Sequence, residues 1–133
     1  MNHRHQHGFS LMEALITVTI LGILAATATV GYSRYVERAH RSEAKSVMLD
    51  LSQRLERYYT DENTYDGFSA PAALRQVPTE GGRAQTYSIR IATDDQSFEI
   101  VASPTGAQLN DKCGELSTDN AGRHASEGGA DCW

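Results

Sequence analysis

The stretch GFSLMEALITVTILGILAATATVGYS, Gly8 to Ser33, decides how the rest of this 133-residue chain is read. From Ala14 to Ser33 it holds no charged residue: twenty positions, about 30 Å as an α-helix, enough to cross a hydrocarbon core. A polar, His-rich segment, MNHRHQHG, precedes it. One acid, Glu13, lies just inside its start. A carboxylate placed there costs roughly 3 kcal/mol on insertion scales, so the acid needs a partner.

A cleaved secretory signal peptide is the plain alternative, and Ala25-Ala26-Thr27-Ala28 offers it a small-residue cleavage site. Three features oppose it. The polar leader stops after eight residues at Gly8, Glu13 serves no purpose in a signal peptide, and helical patterning continues past Ser33. An uncleaved signal anchor also leaves Glu13 unexplained. If the chain is cut after Gly8, Phe9 carries an ammonium, and Glu13 lies four residues along on the same helix face. The helix macrodipole also favours a carboxylate in the first turn. Glu13 can pair with its own terminus or with that of a neighbouring subunit. The second pairing would make assembly selective.

Beyond the apolar run, Arg34 to Tyr59 contains neither proline nor glycine. Val36, His40, Ala44, Val47, Leu51, Leu55 and Tyr58 recur at spacings of three and four, one stripe of an amphipathic helix that Met48 and Tyr59 widen. Arg38, Arg41, Lys45, Arg54 and Arg57 read as lying off that stripe. The helix is expected to run from near Phe9 to near Thr60, about fifty residues or 75 Å. Residues 66–85 carry Pro71, Pro78 and three glycines and read as a loop, with one helical turn near Ala72 to Gln76. Period two then appears: Tyr87, Ile89 and Ile91, then Phe98, Ile100 and Ala102, with Thr93-Asp94-Asp95-Gln96 as the turn. A weaker pair follows, near Gly114 to Thr118 and Ala121 to Ala125, turning at Asp119-Asn120. The expected fold class is α+β: a long N-terminal helix, membrane half plus amphipathic half, packed on a roughly four-stranded antiparallel sheet. The segments are 1–8, a cleaved leader; 9–33, a transmembrane and assembly helix; 34–60, its amphipathic half; and 61–133, a globular β head.

The chain has 17 acidic residues and 12 Lys and Arg. From Thr60 to Trp133 the balance is twelve acidic to five basic, which argues against nucleic-acid phosphates as the default partner. Eighteen residues separate Cys113 from Cys132. In an exported chain the pair reads as a disulfide, contributing roughly 3 kcal/mol in the chain-entropy model; in a cytosolic chain it reads as two free thiols. No metal site is expected, since two cysteines without paired histidines do not complete a ligand set. Alternating His3, His5 and His7 read as a polar cytoplasmic flank rather than a metal tract. No cofactor and no catalytic constellation are expected. Asp94-Asp95 reads as a hairpin turn, and Asp111 with Asp119-Asn120 lacks EF-hand spacing.

Gly8-Phe9-Ser10-Leu11-Met12-Glu13 with the uncharged run behind it resembles the class III signal of type IV pilins and pseudopilins. Arg41 to Lys45, Arg57 to Tyr65, Cys113-Gly114 and Cys132-Trp133 resemble the PilE-like minor pilins within that family. The resemblance implies the pilin fold, leader cleavage between Gly8 and Phe9 by a prepilin peptidase, N-methylation of Phe9, and Glu13 as the assembly charge. It implies a disulfide-bounded C-terminal loop on the head surface. It also implies a single-pass inner-membrane protein with its head in the periplasm, moving to an extracellular pilus on assembly. The implied partners are major and minor pilin subunits and an inner-membrane assembly platform, and the implied role is a minor pilus subunit in twitching motility and adhesion. The alternatives are a DNA-binding pilin for DNA uptake, with Arg75, Arg83, Arg90, Lys112 and Arg123 as candidate contacts, and a type II secretion pseudopilin. Many pilins carry a proline where this chain has Val30. Whether the helix melts between Gly22 and Gly31 is left open by residues of modest helix propensity there.

Overall fold

A computed structural model describes residues 9–133 of the chain. The expected leader, residues 1–8 with Gly8, lies outside the described residues. The first element, α1, is a 52-residue helix, Leu11–Glu62. It continues through Gly22 and Gly31 without interruption. The chain divides into two compact units, one ending at Val36 and one spanning Glu37–Trp133, and each is described by itself.

In the first unit the helix is built almost wholly of apolar residues and threonines. Three threonine hydroxyls are satisfied within the helix. Thr17 Oγ1 donates to the Glu13 carbonyl (2.9 Å), Thr19 Oγ1 to Leu15 (2.7 Å) and Thr27 Oγ1 to Leu24 (3.0 Å). Such back-bonding lets a hydroxyl sit in an apolar helix without an outside partner.

In the second unit the remainder of α1 packs on a five-stranded antiparallel meander of order β1-β2-β3-β4-β5. The strands are β1 (Gln76–Val77), β2 (Tyr87–Thr93), β3 (Phe98–Pro104), β4 (Leu116–Asp119) and β5 (His124–Ser126). The period-two residues pair as their pattern demands, Ile89 opposite Ala102 and Ile91 opposite Ile100. Their inward face, with Val77, Tyr87, Phe98 and Leu116, meets Ala44, Val47, Met48, Leu51 and Leu55 of α1. Each element buries the apolar surface the other exposes, and this is the core. Asn63 ends the helix in the left-handed region at φ 57°, its N–H donating to the Tyr59 carbonyl (2.8 Å). Beyond it Tyr65 stacks on Tyr59 (4.5 Å) and meets Phe98 edge-on (5.1 Å), closing one end of the core.

The two hairpin turns are set by aspartates. Asp94 accepts from the Gln96 N–H (2.9 Å), the Ser97 N–H (2.7 Å) and the Ser97 hydroxyl (2.8 Å). These bonds hold its carboxyl below the usual range, the Gln96 N–H most of all. Asp119 accepts from the Ala121 and Arg123 N–H groups (3.0 Å each) and from Arg123 Nε (2.7 Å). The second turn therefore spans 120–123, with Asp119 closing β4 rather than lying at the tip. Asn120 Nδ2 donates to the Gln96 carbonyl (3.2 Å), tying the two turns together.

The structure departs from the sequence expectation in two further ways. The sheet has five strands, not four. β1 is only two residues long and shows no period of its own; it exists because Val77 pairs with Tyr87. Arg41 is not off the stripe: it is buried. Its guanidinium lies against the Cys113 Sγ, 3.6 Å from the Cys132 Sγ, and makes an ion pair with Asp111 (3.4 Å). Cys113 and Cys132 are joined in a disulfide. The Asp111 carboxylate also accepts from the Tyr87 hydroxyl (3.2 Å), Gln108 Nε2 (2.8 Å) and the Cys113 N–H (3.2 Å). Gln108 Nε2 further donates to the Glu37 carbonyl (3.1 Å), and His40 Nδ1 lies 3.1 Å from Gln108 Oε1. Helix, sheet, loop and bridge thus share one buried polar cluster.

Two predictions follow from this packing, both read on the oxidised full chain in detergent micelles. Asp111→Ala leaves a largely buried guanidinium without its counter-ion and is expected to cost about 3–5 kcal/mol in urea unfolding. Arg41→Met leaves the carboxylate three donors and keeps an apolar stem, so it is expected to cost less, about 1–3 kcal/mol. An equal or reversed order would show that Asp111 is not the hub. The second prediction concerns alkali. Burial, more than any neighbour, pushes the Tyr87 hydroxyl up to about 12, and burial followed by the hydrogen bond to Glu56 does the same for Tyr65. Both folded values lie above the ordinary 10.0, so the neutral tyrosines contribute fully below pH 10 and that contribution is lost as pH rises towards 12. The fall in unfolding midpoint over this window is expected to be shallower in Tyr87→Phe and Tyr65→Phe.

Candidate functional site

Two surfaces carry candidate functional side chains. The first is the start of α1. Phe9 precedes the helix, 75% exposed, and Glu13 lies in its first turn. Leu11, Met12, Leu15, Ile16, Val18, Ile20, Leu21, Ile23 and Leu24 are all exposed. By length and composition this helix is able to cross a membrane. With Thr17, Thr19 and Thr27 satisfied internally, Glu13 stands out as the charged group at the start of the apolar run. Among the described residues its carboxylate makes no ion pair. A lone acid on an apolar helix asks for a cation.

The second surface is the head. Of the five basic residues there, two are held by acids: Arg83 pairs with Glu43 of α1 (3.2 Å) and Arg123 with Asp119 of the head (2.7 Å). Arg75 and Arg90 line one cavity of about 160 Å³ beside β2, and Lys112 is exposed next to the disulfide. Asp111 and Asp119-Asn120 are not brought together, since Asp111 is in the buried cluster and Asp119 in its turn. Among the described residues no group of three or more His, Cys, Asp and Glu is placed to hold a metal ion.

Sequence reasoning missed an aromatic–cation stack beside the bridge. The Trp133 indole donates to the Ala125 carbonyl (2.6 Å), stacks on His124 (4.2 Å) and has the Lys45 ammonium 5.5 Å from its ring centre. Burial, then the charge of Arg41, lowers the Lys45 ammonium from its usual value. Sequence reasoning also missed the Arg41 cluster, although a signal existed. Arg41, Ala44, Met48, Leu51 and Leu55 follow one another at three, four, three and four, so Arg41 stands at a core position. Gly128 seals the bridge: a Cβ there would stand 2.7 Å from the Cys113 Cα, and no side chain fits.

Comparison with known proteins agrees with this architecture. A family model described as type IV minor pilin ComP, DNA uptake sequence receptor, matches residues 31–117. A second, the prokaryotic N-terminal methylation motif, matches residues 3–29. The type IV major pilin protein PilE1 of Neisseria gonorrhoeae is 37% identical over 136 residues, covering 90% of this chain and 64% of that one. The type II secretion system core protein G of Aeromonas hydrophila is 35% identical over 88 residues, covering 65% of this chain and 62% of that one. Among solved structures, a type IV pilin from Shewanella oneidensis superposes with a TM-score of 0.56 at 25% identity, covering 73% of this chain and 97% of that one. The chain spans about half the length of the curated relatives it matches, from 40% to 65%. The long helix, the antiparallel sheet, the bridged C-terminus and the matched family models together place the chain in the type IV pilin family.

Proposed function

We propose that the chain is a minor subunit of a type IV pilus, incorporated into the filament or priming its assembly in support of twitching motility and adhesion. The observation that carries this reading is the exposed apolar start of α1 with Glu13 in its first turn. In this reading a prepilin peptidase removes residues 1–8, cutting between Gly8 and Phe9, and the new Phe9 amine is methylated. The match of residues 3–29 to the methylation motif supports this. Residues 9–33 hold the subunit in the inner membrane, with the head in the periplasm. The assembly platform then transfers it into the filament, where helices of major and minor subunits bury one another's apolar faces. Glu13 neutralises a terminal amine there, and an unmatched acid disfavours every packing that lacks one. The bridged head faces outward.

The test uses the native host. Sheared filaments are expected to contain this chain beginning at methylated Phe9 by intact mass. Glu13→Gln is expected to leave the membrane-held subunit at normal abundance while its amount in filaments falls at least tenfold. Normal incorporation of that variant would overturn the assembly role. Loss of secretion rather than of motility on deletion would assign the chain to a secretion pseudopilus.

The family match over residues 31–117 favours one second reading, a head that binds DNA during uptake. Arg83 already answers Glu43 of α1 and Arg123 answers Asp119, which leaves Arg75, Arg90 and Lys112 as the head's cations. Under this reading the triple change Arg75→Glu, Arg90→Glu and Lys112→Glu abolishes a low-salt mobility shift of duplex DNA, while Arg83→Glu with Arg123→Glu does not. No shift by the parent chain at low salt would sink it.

A further inference from the structure

The two sulfurs of the Cys113–Cys132 bridge stand in different surroundings. Cys113 belongs to the buried cluster. It is fully enclosed, its N–H donates to Asp111 (3.2 Å), and its Sγ lies against the Arg41 guanidinium. Cys132 is also buried, but it is carried by the turn that follows β5. Glu127, Gly128, Gly129, Ala130 and Asp131 of that turn are all exposed, and none of them joins the apolar core. The turn is held by the Gly128 N–H on the Cys113 carbonyl (3.2 Å), the Glu127 N–H on the Glu115 carbonyl (3.2 Å) and the Ser126 hydroxyl on the Gly129 carbonyl (2.6 Å). Trp133, partly buried against the core, anchors it beyond Cys132. A segment with so little buried apolar surface opens locally at lower free energy than the core beneath it. Opening it uncovers the Cys132 side of the bridge and leaves the Cys113 side enclosed.

Charge divides the bridge in the same sense. Arg41 is in contact with the Cys113 Sγ and stands 3.6 Å from the Cys132 Sγ. Lys45, one turn further along α1, is close enough to feel the Arg41 charge. Asp111 is the opposing charge, but its oxygens are shared among the Tyr87 hydroxyl, Gln108 Nε2 and the Cys113 N–H. Lys112 is exposed, Glu127 accepts from the Glu115 N–H (3.2 Å), and Asp131 is exposed beside Cys132 in sequence. An anion on Cys113 therefore meets a guanidinium that stays charged at every relevant pH, and a cation in contact stabilises a thiolate.

We propose that the bridge is a directional thiol-exchange site, in which Cys132 accepts a small incoming thiol and Cys113 is the leaving sulfur held by Arg41. The incoming thiol first loses its proton to solvent. Its thiolate attacks the Cys132 Sγ, a new S–S bond joins it to Cys132, and the Cys113–Cys132 bond breaks. The electron pair of that bond passes to the Cys113 Sγ, which becomes a thiolate beside Arg41. The incoming sulfur is oxidised into the mixed disulfide, and Cys113 is reduced. The reverse attack, by the Cys113 thiolate on the Cys132 sulfur, expels the small thiol and restores the bridge. A better stabilised thiolate leaves faster, and it also favours the mixed disulfide in which that sulfur is the free one. Cys132 is thus a modification site, and Arg41 is the residue that selects it over Cys113. The inference does not depend on the pilus or DNA readings, since it uses only the bridge and its buried neighbours.

The test uses the oxidised full chain in detergent micelles with reduced and oxidised glutathione at millimolar concentration and neutral pH. The mixture is quenched in acid, digested with pepsin and mapped by mass. Glutathione is expected on Cys132 in preference to Cys113 by about tenfold in the parent chain. A urea-unfolded sample gives the reference, in which the two cysteines are expected to carry it about equally. Arg41→Met is expected to lower the folded ratio to about threefold, and Arg41→Lys, which keeps a cation beside the sulfur, to restore most of it. The parent chain reads the direction without any substitution, so a variant that fails to fold leaves that result standing. An equal or reversed ratio in the folded parent chain overturns the proposal. So does the absence of any adduct where the unfolded chain is modified, because the bridge is then closed to exchange. A tenfold preference that neither Arg41 variant changes overturns the part assigned to Arg41.

Discussion

One buried carboxylate organises the head. Asp111 is almost fully enclosed, and burying an ionised carboxylate is affordable only when its lone pairs are taken. Its partners come from four places: Arg41 on α1, Tyr87 on β2, Gln108 on the 3-10 turn 106–110, and the main chain of Cys113 at the disulfide. Apolar burial alone would let the helix slide or rotate on the sheet at small cost, since hydrophobic attraction has no direction. A carboxylate that must meet all four groups at once has one solution. The polar cluster fixes the register that the apolar core leaves loose.

That division explains what the sequence made legible. Apolar burial repeats with the period of the element that carries it, so the helix stripe through Ala44, Leu51 and Leu55 and the hairpin of Tyr87, Ile89, Phe98 and Ile100 were readable in advance. Asp94 was readable as a turn because its partners lie two and three residues away. Asp111 was not, because its ion pair comes from 70 positions back and no local pattern announces it. Arg41 misled for a related reason: charge was taken as the mark of an outer face when spacing placed it inside. β1 escaped because two residues define no period. At the other end of the chain Glu13 stands out from cost alone, as an acid in an apolar run.

The two units of the chain meet opposite requirements. In the head, polar groups are satisfied internally, and no buried side-chain nitrogen or oxygen among the described residues lacks a partner. In the first unit Thr17, Thr19 and Thr27 are satisfied in the same way, but the exposed apolar side chains have no cover and Glu13 has no ion pair among the described residues. A surface so apolar is not stable against water, and it is consistent with a helix whose proper surroundings are lipid or other helices.

The meander has a consequence for how the head closes. Each strand pairs with its neighbour in sequence, so the sheet can form by successive hairpin steps that each close a short loop. Docking of the helix is different, since Arg41 and Asp111 lie far apart along the chain. The topology therefore concentrates most of the loop-closure entropy in a single late event. It also makes the exposed connection from Glu80 to Gln85 tolerant of added length, because doubling a flexible loop costs only about 0.6 kcal/mol. A scaffold of this kind can change its connections freely between relatives while keeping the same helix against the same sheet.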